Sequence, residues 1–426
     1  MSLGTRLRRL RIERGLTQRE LADPLYTHAY VSTIEAGRRQ PSAAALDHFA
    51  TKLDIAPSEL LTGTPADLPA RLEIRLQEAR IAVSSGEMDT AEREFSRIRR
   101  EAMAHNLNRL AARAEQGSAL CAERRGKLED ALERYEHAEE MLRGEPPTAR
   151  VDAVVGKARC FQFLGDTRYS TYLLESLIET LRREELTDPA AMLALHAPLV
   201  SIYYEGGLYK NAAEAAAQAM RLAPHVDEPF RLAVMSVNVA RVFLQKGLVE
   251  EATGALRRAE DLFRQLTLKT ELGRAHLALG FVEVREGNYE RARAELESAL
   301  AIARETNNGL DEAYALQELA RVERLTGRVV EGRALIERAI ELVGSDDDVT
   351  FAGACHRELG LCTVELEPAV AEKSLRSAIE LFERSDSPGE VAVTYRMLGD
   401  LQASQGDHSG ACESFRVGIM ALEHSV

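Results

Sequence analysis

Tryptophan is missing from this 426-residue chain, and aromatic residues supply only 5% of it. A packed interior must then be built from Ala, Leu, Ile and Val, within an apolar fraction of 45%. That palette, with abundant Glu and Arg, favours helices over strands. Cysteine is scarce too: Cys121, Cys160, Cys355, Cys362 and Cys412 form no CxxC pair and no metal-ligand spacing with His. An odd set of unpatterned thiols fits a reducing cytoplasm and gives no reason to expect a metal. No apolar run approaches the ~20 residues needed to span a bilayer, and the N-terminus lacks the apolar core of a secretory signal. GxxxxGK[ST], GxGxxG after a strand, HExxH and GxSxG are absent. The sequence therefore predicts no catalytic residue, no cofactor, no metal, no membrane contact and no enzyme activity, in a cytoplasmic protein.

Charge is plentiful but unevenly placed. The net charge is -14, yet residues 1–63 hold nine basic against seven acidic side chains, leaving -16 on the rest. Six Arg fall within the first nineteen residues. An acidic body repels DNA, so any nucleic-acid binding belongs to the N-terminal piece.

That piece reads as five short helices. Leu3 to Glu13 places Leu3, Leu7 and Leu10 on broadly one face, and Gly15 ends it. Thr17-Gln-Arg-Glu20 is a capping box opening a short helix that Pro24 stops. Thr27 caps a helix from His28 to Ala36, closed by Gly37; Pro41-Ser42 opens a fourth, and Pro57 to Leu61 forms a last turn. Leu21, Ala22, Val31, Ile34 and Leu46 are core candidates, and Glu35 is expected to pair with an Arg such as Arg9 or Arg38. Two short helices around a tight turn, with supporting helices, make a helix-turn-helix. LRRLRIERGLTQRELA followed by YVSTIEAGRRQPS resembles the Cro/C1-type (XRE family) DNA-binding domain over about residues 3–61. The usual turn carries a Gly that is missing here, and Leu25-Tyr26-Thr27 is about one residue shorter. The resemblance implies that the second helix of the motif reads double-stranded DNA through His28, Ala29 and Thr33, with Tyr30 and Ser32 adjacent. Thr17, Gln18, Arg38 and Arg39 are expected at phosphates.

After a linker at 62–69, rich in turn formers, the sequence repeats. A turn Gly followed five residues later by a small residue recurs at Gly86/Ala91, Gly126/Ala131, Gly165/Ser170, Gly207/Ala212, Gly247/Ala252, Gly287/Ala292, Gly327/Gly332 and Gly406/Ala411. A further position near Leu366/Ala371 keeps the Ala without the Gly. Successive spacings run 40, 39, 42, 40, 40, 40, 39 and 40. Seven before the Gly a small residue recurs (Ala79, Ala119, Ala158, Ala240, Gly280, Ala320, Gly399), and nine after it a large one (Phe95, Tyr135, Leu174, Leu256, Leu296, Ile336, Phe415). Polar turns at Glu305–Gly309, Gly344–Asp348 and Ser385–Gly389 separate units. This resembles the tetratricopeptide repeat with lengthened helices. The expected fold is all-α: a five-helix head over 1–61, then a right-handed superhelix of about nine helical hairpins over 70–426.

Six residues before each turn, an inward position carries Arg80, Leu120, Arg159, Ser201, Arg241, Phe281, Arg321, Gly360 and Asp400, with Gln116, Gln317, His356 and Arg396 four residues earlier. Arg159, Tyr204, Asn238, Arg241, Gln317, Arg321, His356 and Arg396 form the candidate ligand groove, since carboxamides match a peptide backbone and Arg takes a carboxylate. Ordinary Arg–Glu pairing with neighbours is the alternative. A Cro/C1-type head before such an array is similar to the RRNPP peptide-sensing regulators. That similarity implies a homodimeric transcription regulator whose repeats bind a short signalling peptide. A protein or small-molecule effector, or a repeat scaffold for a protein partner, stays open. An apolar terminal surface (Phe415, Val417, Ile419, Met420, Leu422) is a candidate for the dimer contact or for a sealed cap.

Overall fold

The computed structural model describes residues 2–343, 348–385 and 387–423, and all regular structure among them is helical. Most of the expected turns Gly344–Asp348 and Asp386 within Ser385–Gly389 therefore lie outside the described residues. Five helices form the head: α1 (Leu3–Glu13), α2 (Gln18–Ala22), α3 (His28–Glu35), α4 (Ala43–Leu53) and α5 (Pro57–Thr62). Side-chain caps start the first four. Ser2, Thr17, Thr27 and Ser42 each accept from a backbone amide three residues on, and the Thr17–Glu20 capping box is complete. Leu7, Leu21, Val31, Ile34, Phe49, Leu53 and Leu60 are fully buried in one core. Arg6 is buried with them, its Nη1 donating to the carbonyls of Leu60 (2.9 Å) and Leu61 (2.6 Å) at the end of α5. Gly63 to Asp67 separate α5 from the next helix.

Nine hairpins follow among the described residues: α6 (Leu68–Ser84) with α7 (Met88–Ala104), α8 (Asn108–Arg124) with α9 (Leu128–Met141), α10 (Val151–Phe163) with α11 (Thr167–Arg183), α12 (Pro189–Glu205) with α13 (Tyr209–Leu222), α14 (Pro229–Gln245) with α15 (Val249–Gln265), α16 (Lys269–Arg285) with α17 (Tyr289–Glu305), α18 (Gly309–Leu325) with α19 (Val329–Leu342), α20 (Val349–Thr363) with α21 (Pro368–Arg384), and α22 (Pro388–Ser404) with α23 (His408–Glu423). Every turn Gly of the repeat has a positive φ, from 71° to 85°. The eighth hairpin turns without one, as the Glu367 amide bonds back to the Thr363 carbonyl at 2.8 Å. Two units are distinguished. The first holds the head and the first three hairpins apart from residues 84–87; the second holds those four residues and the chain from Thr187 onward.

The small and large positions interlock. A Cβ on Gly117 would lie 2.4 Å from the buried ring of Phe95, and one on Gly156 would lie 2.3 Å from Tyr135, the same contact one repeat later. The Gly280 and Gly399 positions likewise leave no room for a methyl beside Leu296 and Phe415. Phe415 thus faces its own hairpin and Val417 is half-buried, which corrects the expected apolar end; Ile419, Met420 and Leu422 remain exposed. The fourth hairpin reverses the size rule, with Val200 and Ala216 both buried. In the register that sets Phe95 against Gly117, Ala216 falls opposite Asn238, so a small residue leaves space for a carboxamide. Gly117→Ala is expected to destabilise the chain by about 1–3 kcal/mol through overpacking. This outweighs a helix-propensity gain of roughly 1 kcal/mol. A melting temperature at or above that of the parent chain would contradict it.

Candidate nucleic-acid interface and effector stripe

The head's candidate residues lie on and around α3. Val31 and Ile34 turn into the core, which leaves His28, Ala29 and Ser32 on the opposite, exposed face. Thr33 is half-buried, its Oγ1 donating to the Tyr30 carbonyl at 2.8 Å. Tyr30 is half-buried as well. Its ring stacks on Tyr26 at 5.2 Å between centroids, and its hydroxyl accepts from the Ser42 amide at 3.4 Å. The Arg39 guanidinium sits 4.8 Å from the Tyr30 ring centre, a cation–π contact that steadies an otherwise exposed side chain. Arg38 beside it is exposed.

Behind this surface lies a buried ion pair. Glu35 is held bidentately by Arg11, at 2.6 Å from Nε and 3.0 Å from Nη2, and also accepts from the Gln18 amide at 2.8 Å. The expected partners were Arg9 or Arg38; Arg9 instead lies 3.4 Å from Glu13 along its own helix. Burial alone would raise the Glu35 pKa, but the hydrogen bonds from Arg11 and Gln18 outweigh it and hold the carboxyl below its usual range. Arg11 also donates to the Leu16 carbonyl at 2.8 Å, so one side chain ties α1 to α3 and to the loop before α2. Two of the six N-terminal Arg, Arg6 and Arg11, therefore serve the fold.

In the hairpins, the inward positions read from the sequence are exposed or half-buried, except Gly360, which is buried. Arg159 lies in the first unit and the other seven groove candidates in the second. Arg159 is committed: it holds Glu123 at 2.5 and 2.6 Å and donates to the Tyr135 hydroxyl at 3.1 Å. Burial pushes the Glu123 pKa up, and Arg159 more than reverses it. Arg241 bridges to the preceding hairpin, donating to Ser201 at 2.8 Å and Glu205 at 2.9 Å across the surface. Arg396 pairs with Asp400 at 3.1 Å. Tyr204 packs edge-on against Tyr209, 5.5 Å between centroids. Asn238 and Gln317 are half-buried, and their carboxamides bond to nothing among the described residues. His356 is half-buried, and burial keeps its pKa below the usual value.

Glu318, which the sequence did not single out, is a buried carboxyl one residue off this stripe, in the row of Asn238. Its Oε2 is buried without a hydrogen bond, 3.8 Å from Arg321 Nη1. Burial raises its pKa to about 6, against the pull of Arg321 and with the push of Glu358. A carboxyl more basic when folded than unfolded destabilises the fold as it ionises, so the penalty grows from about pH 4.5 and is complete above about 6. Glu318→Gln is expected to stabilise the chain by about 1 kcal/mol more at pH 7.5 than at pH 5. Equal gains at both values, in denaturant melts, would refute the assignment.

A helix-turn-helix head followed by stacked helical hairpins defines a class, the DNA-binding regulators with a repeat-built second part. Comparison with known proteins bears this out. A helix-turn-helix domain model matches residues 2–61 and a tetratricopeptide repeat model matches residues 271–343. The helix-turn-helix-type transcriptional regulator y4dJ of Sinorhizobium fredii, itself uncharacterised, is 40% identical over 63 residues, 15% of this chain and 82% of that protein. The apo quorum sensor NprR from B. thuringiensis shares the fold across 84% of this chain and 100% of its own, at 14% identity and a TM-score of 0.56. A signal-transduction ATPase with a tetratricopeptide repeat sensor, from Pyrococcus horikoshii, matches 100% of this chain with 64% of its own, at 13% identity and a TM-score of 0.58. The chain belongs to the Cro/C1-type helix-turn-helix transcriptional regulators, here with C-terminal tetratricopeptide repeats. The family is that of a transcriptional regulator. No helix among the described residues is long and apolar enough to cross a membrane.

Proposed function

We propose that this regulator binds a short signalling peptide on the exposed stripe of its first helices, and that occupancy changes how its head engages DNA. The observation that carries the peptide reading is the pair of half-buried carboxamides without a bond among the described residues, Gln317 on the stripe that bears Arg241 and Arg321 and Asn238 beside it. A carboxamide offers both a donor and an acceptor, the complement of a peptide unit. At the head, His28, Ala29, Ser32 and Thr33 face base edges, with Tyr30 as their support. Arg38 and Arg39 neutralise phosphates. Gln18 spends one amide hydrogen on Glu35 and keeps the second for a phosphate, beside the capped start of α2 at Thr17. The protein acts as a cytoplasmic homodimer, two heads reading a two-part operator. Effector action requires different affinities for two arrangements of the protein, because equal affinity shifts nothing.

The test is retardation of DNA from the chain's own upstream region, with and without peptide fractions from culture supernatant. Arg38→Ala with Arg39→Ala is expected to flatten the dependence of log affinity on log salt by about 1.8. An unchanged salt slope overturns the phosphate assignment. Peptide fractions that alter neither retardation nor melting temperature overturn the sensing assignment, and a protein fraction that does so identifies the alternative effector.

A further inference from the structure

Each hairpin is a control for the others, and by that standard α16 is unusual. Six residues before the turn, the other hairpins carry Arg80, Leu120, Arg159, Ser201, Arg241, Arg321, Gly360 and Asp400. Phe281 is the aromatic in that row. The other apolar one, Leu120, is half-buried against the core of the first hairpins, whereas Phe281 is 38% exposed. Most of Phe281 is covered, and the part left open stands at a stripe position.

Its stripe neighbours include two guanidinium groups. One turn beyond Phe281 on the same face, Arg285 is exposed and makes no ion pair or hydrogen bond among the described residues. The neighbouring first helix α18 presents Gln317 and Arg321 in the matching rows. The rows of Phe281 and Gln317 carry no carboxylate on either helix, and Glu318 stands one residue off them, in the row of Asn238. Of the carboxylates on these helices, Asp311 holds Arg274 at 2.8 Å and Glu318 is buried 3.8 Å from Arg321, while Glu286, next to Arg285 in the chain, is exposed. The hairpins and linker together carry -16, so a stripe that is basic and apolar here points to an anionic, apolar ligand group.

We propose that Phe281, Arg285, Gln317 and Arg321 form a subsite for the C-terminal residue of a peptide, an apolar residue carrying a free carboxylate. The proposal rests on the peptide reading above and specifies one end of the ligand. On one helix face, residues four apart have Cβ atoms roughly 5–6 Å apart. A terminal residue presents its side chain and its carboxylate at about that separation, so the side chain covers the Phe281 ring while the carboxylate meets Arg285 and Arg321. Gln317 then pairs with the last peptide unit. An internal Asp or Glu would hold its charge farther from any apolar neighbour and would have more rotamers to freeze.

The experiment uses the full-length chain and a synthetic hexapeptide library, prepared once with free C-termini and once amidated, with bound peptides identified by mass spectrometry. The free-acid library is expected to enrich Phe, Leu, Ile or Met at the last position, and amidation is expected to reduce capture at least tenfold. Phe281→Ala should erase the last-position preference while the chain stays folded, with a lowered melting temperature from the lost packing. Arg285→Gln should erase the preference for acid over amide. Equal capture of both libraries, or a last-position preference that survives Phe281→Ala, overturns the subsite. If such capture is still lost in Asn238→Ala, the wider peptide reading stands without it; if neither library is captured at all, both fall.

Discussion

Glu35→Ala is expected to unfold the head while leaving the hairpins folded. The Glu35 side chain is 4% exposed and Arg11 12%, so removing the carboxylate strands a buried guanidinium and the Gln18 amide together. Breaking a buried pair in this way costs about 3–5 kcal/mol. A head of about sixty residues has only roughly 3–9 kcal/mol of stability to lose. Hydrogen exchange should show the amides of α1 to α4 losing protection while those of the hairpins keep theirs, and DNA retardation should disappear. Replacing both partners, Arg11→Met with Glu35→Leu, removes the stranded charge and should restore much of the stability. A double variant as unstable as Glu35→Ala would show that packing, not the uncompensated charge, sets the cost. The pH dependence has a definite sign. The folded Glu35 carboxyl is more acidic than in the unfolded chain, so its contribution is present above the unfolded value of about 4.3 and is lost as pH falls through the folded value.

The parts legible in the sequence were those governed by local rules. A capping box needs only residues three apart, and Thr17 and Glu20 form theirs as expected. The bounds of α1 follow from an apolar face and a following Gly. The turn glycines follow from a backbone that L side chains adopt at a cost, which repeats every 39 to 42 residues. What the sequence withheld depends on contacts across many residues. Nothing in the spacing of Arg11 and Glu35, 24 residues apart on different helices, distinguishes Arg11 from Arg9 or Arg38. The choice is made by the angle at which α1 meets α3. Arg6 was counted with the basic residues, though it lies under the end of α5 and satisfies carbonyls there. The stripe positions were readable from the period, but whether a stripe Arg is free or occupied was not. Arg159 and Arg241 have Glu partners 36 residues away, almost one repeat, and that register appears only once hairpins stack. Phe281 stood in the right row, but only its exposure separates it from a core aromatic.

Ala29→Glu is expected to leave the fold intact and to abolish sequence-specific DNA binding. Ala29 is exposed in the first turn of α3, after the Thr27 cap. A carboxylate there faces the positive end of the helix dipole, which is worth about 0.3–1 kcal/mol in its favour. The melting temperature should therefore hold or rise slightly. If α3 lies in the major groove, the same carboxylate is pressed toward base edges and flanking phosphates, where it repels and cannot be solvated. Specific binding exceeds non-specific binding by typically 10³-fold or more, and loss of the first-turn contacts should forfeit at least about a hundredfold of this. Arg38 and Arg39 are untouched, so residual binding should keep a steep salt dependence. This combination separates reading from gripping: affinity for the cognate site falls to that for random DNA while the salt slope persists. Unchanged affinity in a chain that melts normally would mean that α3 does not face the DNA, and would move the interface elsewhere on the head.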